Sequence, residues 1–422
     1  MVELRPASEM KDSGIEWVGQ IPTDWRVVKN NRLFRISKEL VGDKWENIQL
    51  LSLTKGGIIE KDINDGGGKQ PESFSTYQYV SIDDIVLCLF DIDVSAVFSD
   101  RSSYAGMISP AYRVMKCEKN ILPVFAKWWF DAVNVGRYYL IYTKSLRKTI
   151  DSEGFGNILT AIPSLSEQQA IADYLDDRCS KIDEIIAEAT ASIEEYKELK
   201  QAVIFEAVTK GLNKNAPMKD SGVEWIGNVP SNWQIIRLKY LMNEINNRSE
   251  TGEEEPLSVS QVLGVVPSSM IAVANPASST IGQKIVEPND LVFNKLKAHL
   301  GVLFESQYRG LVSPDYAVYR TNEKVIPKFL EYLFHTPACI TEFTKFITGV
   351  AVGLMRLYTS DLFNIYIALP SKEEQSIIIK YLDEYIRMFD ALISEKQSLI
   401  DDLQAYKKSL IYEVVTGKRR VV

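Results

Sequence analysis

The residues able to do chemistry in this chain are few and scattered. Asp91 and Asp93, in the stretch FDID, have the spacing to share a magnesium ion as a nuclease would. No lysine partners them, and a hydrogen-bonding role suits two such aspartates better. The stretch GGGKQ at 66–70 approaches a phosphate-cradling glycine loop, but Gln70 stands where a magnesium-binding hydroxyl is needed, so it reads as a flexible loop. NPAS at 275–278 lacks the second proline of the Asn-Pro-Pro-aromatic turn a DNA methyltransferase uses. Cys88, Cys117, Cys179 and Cys339 form no CxxC pair, and His299 and His335 are too few for a zinc site or a hydrolase triad. No metal site and no active site emerges from these residues.

What remains is a chain that must act by binding. At 422 residues it needs more than one core, and 45% hydrophobic with 25% charged residues is the balance of a folded protein. No apolar run approaches the ~20 residues needed to cross a membrane. The start, MVELRPASEM, lacks the apolar core of a signal peptide, so the chain reads as cytoplasmic with buried, reduced thiols. The net charge of −8 is unevenly spread. Residues 166–209 carry −7 and residues 372–416 carry −3, leaving the remainder at +2. That distribution permits contact with phosphate without requiring it.

The elements that would position binding residues occur twice. MKDSGIEWVGQIPTDW at 10–25 returns as MKDSGVEWIGNVPSNW at 218–233. The second half then echoes the first in order. DDIVLCLF (83–90) meets NDLVFNKL (289–296), GMISPAYRV (106–114) meets GLVSPDYAV (310–318), and IPSLSEQQAI (162–171) meets LPSKEEQSII (369–378). Such self-similarity marks two copies of one structural plan. Each half has about 165 residues of mixed pattern and then a long helical segment. The mixed parts carry short β-rich runs and helical stretches around 122–142 and 326–346, an α/β or α+β pattern.

The long helices have legible ends. Ser164 with Glu167, and Ser371 with Glu374, form capping boxes, in which the glutamate is expected to reach back to the N-cap amide. Gly211 and Gly417 supply the left-handed termini. Between them, Leu175, Ile182, Ala189, Tyr196 and Val203 follow one heptad track, and Ile379, Ile386, Ile393 and Ile400 another, with Lys396 interrupting the second helix's other track. A seam this persistent buries against a second helix. About 45 residues at ~1.5 Å each would make a rod of roughly 65–70 Å. The expected partner is the other copy, running antiparallel under a pseudo-two-fold relation. The heads are then expected at opposite ends.

These blocks, twice over and in this order, resemble the specificity subunits of type I restriction–modification systems. The match rests on the repeated 16-residue phrase, the two SPxY blocks, the two helix starts, and the helix ends FEAVTKG and YEVVTG. The resemblance implies two target recognition domains (1–163 and 212–370), two conserved helices (164–211 and 371–417) and a basic tail (418–422). It also implies that each domain reads half of a split double-stranded DNA site while the helices set the unread gap. Two modification subunits using S-adenosylmethionine, and restriction subunits using ATP and Mg²⁺, would supply the chemistry, this chain binding no cofactor. A two-sided-cutting system with one fused partner, or a coiled-coil scaffold for proteins, are the alternatives.

Candidate DNA contacts follow from residue type, since cations and hydroxyls hold phosphates while amides and guanidinium groups read base edges. In the first half they are Lys55, Lys61, Lys69 and Gln70 in a glycine-rich loop, with Arg147 and Lys148. In the second they are Ser260, Gln261, Lys284, Lys295, Lys297 and Arg356, the last answering Arg147. Each alone also looks like an ordinary surface charge; the group is the stronger reading. NKLKAHLG at 294–301 faces an acidic, apolar counterpart, CLFDIDVS, at 88–95, so the halves are expected to read different sequences. Tyr77 and Tyr79 suit strand packing better than base stacking. Trp17, Trp25, Trp225 and Trp233 recur at equal positions and are assigned to the core or, second, to a partner interface.

Overall fold

A computed structural model of the chain describes residues 3–37, 39–63, 73–95, 98–143, 147–271, 280–347 and 356–421. It divides into two compact units, residues 1–190 with 398–422, and residues 191–397. The division falls inside both long helices, Leu165–Lys210 and Lys372–Val415, so each unit holds the start of one and the end of the other.

In the first unit, two four-stranded sheets face each other. One has the order Gly57–Lys61, Leu50–Thr54, Gly106–Ile108, Gln78–Val80; the other, Phe34–Ile36, Arg113–Cys117, Ile85–Leu87, Ser99–Arg101. Strand alternation separates two cores. Val86 and Val114 point at Leu51, Ile58, Val80 and Ile108 of the facing sheet. Ile85, Leu87 and Met115 point the other way, into a larger core built on the helix Pro123–Gly136 and its Phe125, Trp129 and Phe130.

The second unit repeats this plan. Met242–Ile245, Tyr316–Thr321, Leu291–Asn294 and Leu303–Glu305 form the equivalent sheet, and Leu257, Val265, Val286, Val292, Val312 and Val318 the equivalent small core. Equivalence extends to single contacts. Asp84 accepts the Ser81 amide at 2.8 Å, and Asp290 the Glu287 amide at 2.9 Å. Gly106 and Gly310 are glycines because a Cβ at Gly106 would meet the Gln49 carbonyl at 2.5 Å and one at Gly310 would meet Leu257 Cγ at 2.7 Å.

The long helices are fixed to the heads at their starts. Gln168 and Gln375 are wholly buried. Gln168 accepts the Leu122 amide at 2.7 Å and donates to the carbonyls of Asn120 and Pro163; Gln375 does the same with Ile326, Lys324 and Pro370. Trp128 donates to Asp176 at 2.9 Å, and Tyr332 donates to Asp383 at the matching place. Gly211 and Gly417 close the helices with φ near +70° (+71° and +70°), and each lies against the tryptophan that ends a repeated phrase, Trp233 and Trp25.

The capping boxes are half made. Each serine hydroxyl accepts the amide three residues on, at 3.3 Å. The Glu167 carboxylate does not return to the N-cap; it accepts from Trp25 Nε1 at 3.1 Å and pairs with Arg5 at 2.7 Å, tertiary partners that outcompete a local one. Trp25 and Trp233 are core residues, and Trp17 and Trp225 are half-buried against the same cores.

Within each unit the two helix segments pack antiparallel, burying residues of the heptad tracks together with their immediate neighbours. Leu175, Cys179 and Ile182 share a core with Leu410, Ile411 and Val414, and Lys407 pairs with Asp183 at 2.6 Å. In the second unit Ile204 and Val208 share a core with Ile378 and Leu382, Lys200 pairs with Asp390 at 2.5 Å, and Tyr196 packs on Phe389. All four cysteines are free; burial pushes the Cys179 thiol up to about 11 and the Cys117 thiol to about 12. Among the described residues no helix is long and apolar enough to cross a membrane.

Candidate nucleic-acid interface

Each head carries a β-hairpin whose tip is stiffened by a hydroxyl. In the first, Leu50–Thr54 pairs with Gly57–Lys61, and Thr54 Oγ1 accepts the Gly56 amide at 3.2 Å while donating to the Gly57 carbonyl at 2.9 Å. Lys55 stands exposed at this turn. In the second, Leu257–Ser260 pairs with Gly264–Pro267, and Ser260 Oγ accepts the amides of Val262 and Leu263, both at 3.2 Å. That turn exposes Gln261, and leaves Val262 89% and Leu263 56% exposed.

Strand register decides which end of the head the tips occupy. Val265 bridges Ser306 in parallel. Moving from Val265 back to the tip therefore moves back along Leu303–Glu305 towards the turn Lys295–Leu300 that precedes it. Tip and turn share an end, and Lys297 is exposed on that turn. In the first head the equivalent contact is Ile58 N–H to Asp100 Oδ2 at 2.8 Å, and the equivalent loop is 88–95.

A third segment joins each end. The amides of Asp91 and Ile92 donate to the carbonyls of Arg147 and Lys148 at 3.0 and 3.2 Å, and Ile150 donates to Leu89 at 2.9 Å. In the second head Leu357 donates to Lys295 at 3.2 Å. The last two bonds are equivalent, so Arg356 aligns with Thr149. The sequence had set it against Arg147; local length differences move the pairing by two residues.

The structure thus gathers Lys55, Arg147 and Lys148 at one end of the first head, and Gln261, Lys297 and Arg356 at the same end of the second. Their cationic side chains have no carboxylate partner among the described residues. Other candidates are placed elsewhere. Lys61 lies opposite Leu50, at the far end of its hairpin from the tip, and its carbonyl accepts from Gln49. Ser260 is occupied by its own turn. Lys69 and Gln70 lie outside the described residues. Tyr77 packs on Phe74 at 4.8 Å between ring centres, a packing role.

Two lysines of the second head are committed internally. Lys284 is only 4% exposed; its ammonium donates to the Tyr316 carbonyl at 2.8 Å and lies 3.7 Å from Glu244. Lys295 pairs with the same Glu244 at 3.2 Å, and Thr359 donates to it at 2.6 Å. Burial holds the Lys284 ammonium below the usual lysine range, Glu244 opposing it in part. Burial also pushes the Glu244 carboxyl up, but the Thr359 hydroxyl and the two ammonium groups outweigh it and hold it below its ordinary value. Pairing in the first head places Ile36, Gln78 and Leu89 at these three positions, an uncharged version of the same cluster. Asp91 and Asp93 share their loop with no third ligand; no group of three metal-ligating side chains occurs among the described residues.

Sequence reasoning passed over Glu244, Val262 and Leu263. The last two carried a faint signal, adjacent bulky apolar residues between a turn-forming serine and Gly264.

Comparison with known proteins bears on what this fold and site serve. The model of the type I restriction modification DNA specificity domain matches residues 230–401. A Methanocaldococcus jannaschii protein named as the type I restriction enzyme MjaX specificity subunit is 23% identical over 439 aligned residues, covering 96% of both chains. The Escherichia coli K12 EcoKI specificity subunit is 21% identical, over 64% of this chain and 59% of the relative. Among solved structures, the HsdS subunit of Thermoanaerobacter tengcongensis superposes with a TM-score of 0.53 at 16% identity, over 94% of this chain and 98% of that one. A chain from a structure of type I R-M complex assembly and conformational transition gives 0.69 at 15% identity, over 94% and 99%.

The chain is thus similar to type I restriction–modification specificity subunits, through a family model over its second half, relatives of 21–23% identity and a shared fold. Its fold, two repeated heads and two long helices, is the one it shares with those solved chains.

Proposed function

We propose that this chain is the specificity subunit of a type I restriction–modification system and reads duplex DNA at a split target, each head taking one half. Residues 1–163 and 212–370 are the readers; residues 164–211 and 371–417 set the unread gap and dock two modification subunits. S-adenosylmethionine is used by those subunits, and ATP with Mg²⁺ by restriction subunits. The work is done in the cytoplasm, where the DNA is.

One observation carries the reading: the same end of both heads presents cations without internal counter-ions, exposed except for the half-buried Arg356, on equivalent backbone, with different side chains. Cations of this kind anchor phosphates, and differing neighbours read differing bases.

The test is selection of bound duplexes from a random library by the full chain co-purified with its modification subunits. Two conserved blocks separated by a constant gap are expected, with affinity falling steeply as salt rises. Binding without sequence preference would overturn the reading.

A further inference from the structure

Resting on that DNA-reading role, we infer that the hairpin tip of the second head recognises an A·T pair in the major groove through the thymine 5-methyl group. Gln261 supplies the amide and Val262 with Leu263 the apolar contact.

Three observations converge. First, the tip is braced. Ser260 Oγ accepts the amides of Val262 and Leu263, and both bulky side chains stand exposed to solvent instead of folding back on the head. A two-stranded ribbon is also one of the two protein elements the major groove admits. Second, the tip shares its end of the head with Lys297 and Arg356, whose charges have no internal partner. A duplex held there by its phosphates brings base edges to the tip. Third, the side-chain set is matched to one base pair. In the major groove adenine offers N7 and N6–H₂ to a glutamine amide, and its partner thymine offers the only methyl group on any standard base edge. Phosphate-binding surfaces favour polar tips; an apolar pair beside an amide suits thymine. The equivalent turn of the first head has Lys55 and Gly56 and no apolar pair, so the inference is confined to the second head.

The experiment uses the selected duplex and the same full complex. The half-site read by the second head is identified by exchanging residues 212–370 for those of another specificity subunit and seeing which block changes. Each thymine of that block is then replaced by deoxyuridine, which removes only the methyl group. Binding is expected to weaken about three- to five-fold at one position, the scale of one methyl contact. The Val262→Ser/Leu263→Ser variant is expected to bind thymine and uracil duplexes alike while keeping its preference elsewhere. Both residues are exposed, so folding should survive, and a melting curve checks it. The inference falls if uracil is tolerated throughout the block, if the block holds no A·T pair, or if the variant keeps the methyl preference. In each case a sequence-specific complex leaves the proposed function standing. Failure to select any sequence would remove both.

Discussion

Lys284 stands where Gln78 stands in the other head, and each donates to the carbonyl of the tyrosine that ends an SPxY block: Lys284 Nζ to Tyr316 at 2.8 Å, Gln78 Nε2 to Tyr112 at 2.9 Å. The lysine performs this task only with Glu244 beside it, and Glu244 in turn holds Lys295. Removing one member of a buried ion cluster costs more than replacing all of it. Glu244→Ile alone is expected to destabilise the second unit by about 3 kcal/mol. The triple change Glu244→Ile, Lys284→Gln, Lys295→Leu, which copies the first head, should recover most of that loss. Urea unfolding of the three proteins checks it; equal stability of single and triple variants would refute it.

The glutamines at the helix starts should be unusually sensitive. Gln168→Leu keeps volume but strands one backbone amide and two carbonyls. An expected loss of about 2–4 kcal/mol follows from leaving such groups unpaired. Gln375→Leu should behave alike, whereas exposed Gln169→Leu should change stability little, all by chemical denaturation.

Acid should weaken the second unit through His335. Burial holds this imidazole below its usual pKa, with Glu331 opposing and Lys328 reinforcing, and its Nε2 is buried without a partner. The folded state therefore binds fewer protons than the unfolded chain. The stabilisation is present above the unfolded pKa, near 6.5, and is lost as pH falls through the lower folded value. Melting temperature is expected to drop as pH falls below the ordinary histidine value of about 6.5. His335→Leu should flatten that slope whatever its absolute stability.

Cations at the shared end should behave as phosphate anchors. Lys55→Ala, Arg147→Ala and Lys148→Ala are each expected to weaken DNA binding similarly across sequences and to lower the salt slope by about 0.9 per lost contact. Lys61→Ala, away from the tip, is the control that should change neither. Binding isotherms at several salt concentrations decide it.

Deleting matched whole heptads from both long helices should leave the heads folded and shorten the gap between selected half-sites. An unchanged gap would contradict the spacing role.

The helices and the repeat were legible in sequence because their signals are local: a serine, a glutamate three residues later, an apolar track every seven, a closing glycine. The candidate site was legible only in part. Lys284 looks like any surface lysine, since the glutamate that buries it lies 40 positions earlier on another strand. Lys55, Arg147 and Lys148 could be named as cations, but their convergence depends on long-range pairing that no short window contains. Glu167 shows the same limit at a cap, where Arg5 and Trp25 took the carboxylate that local rules assigned to its own helix.

Both hairpin tips are held by one hydroxyl bonding to main-chain groups, a task that either Thr54 or Ser260 performs without regard to the residues carried between strands. Lys55–Gly56 and Gln261–Leu263 are therefore interchangeable cargo on a common mount. Drift at these few codons incurs almost no folding penalty, so if the tips read DNA as proposed, a lineage can acquire a new target faster than it could re-engineer a core.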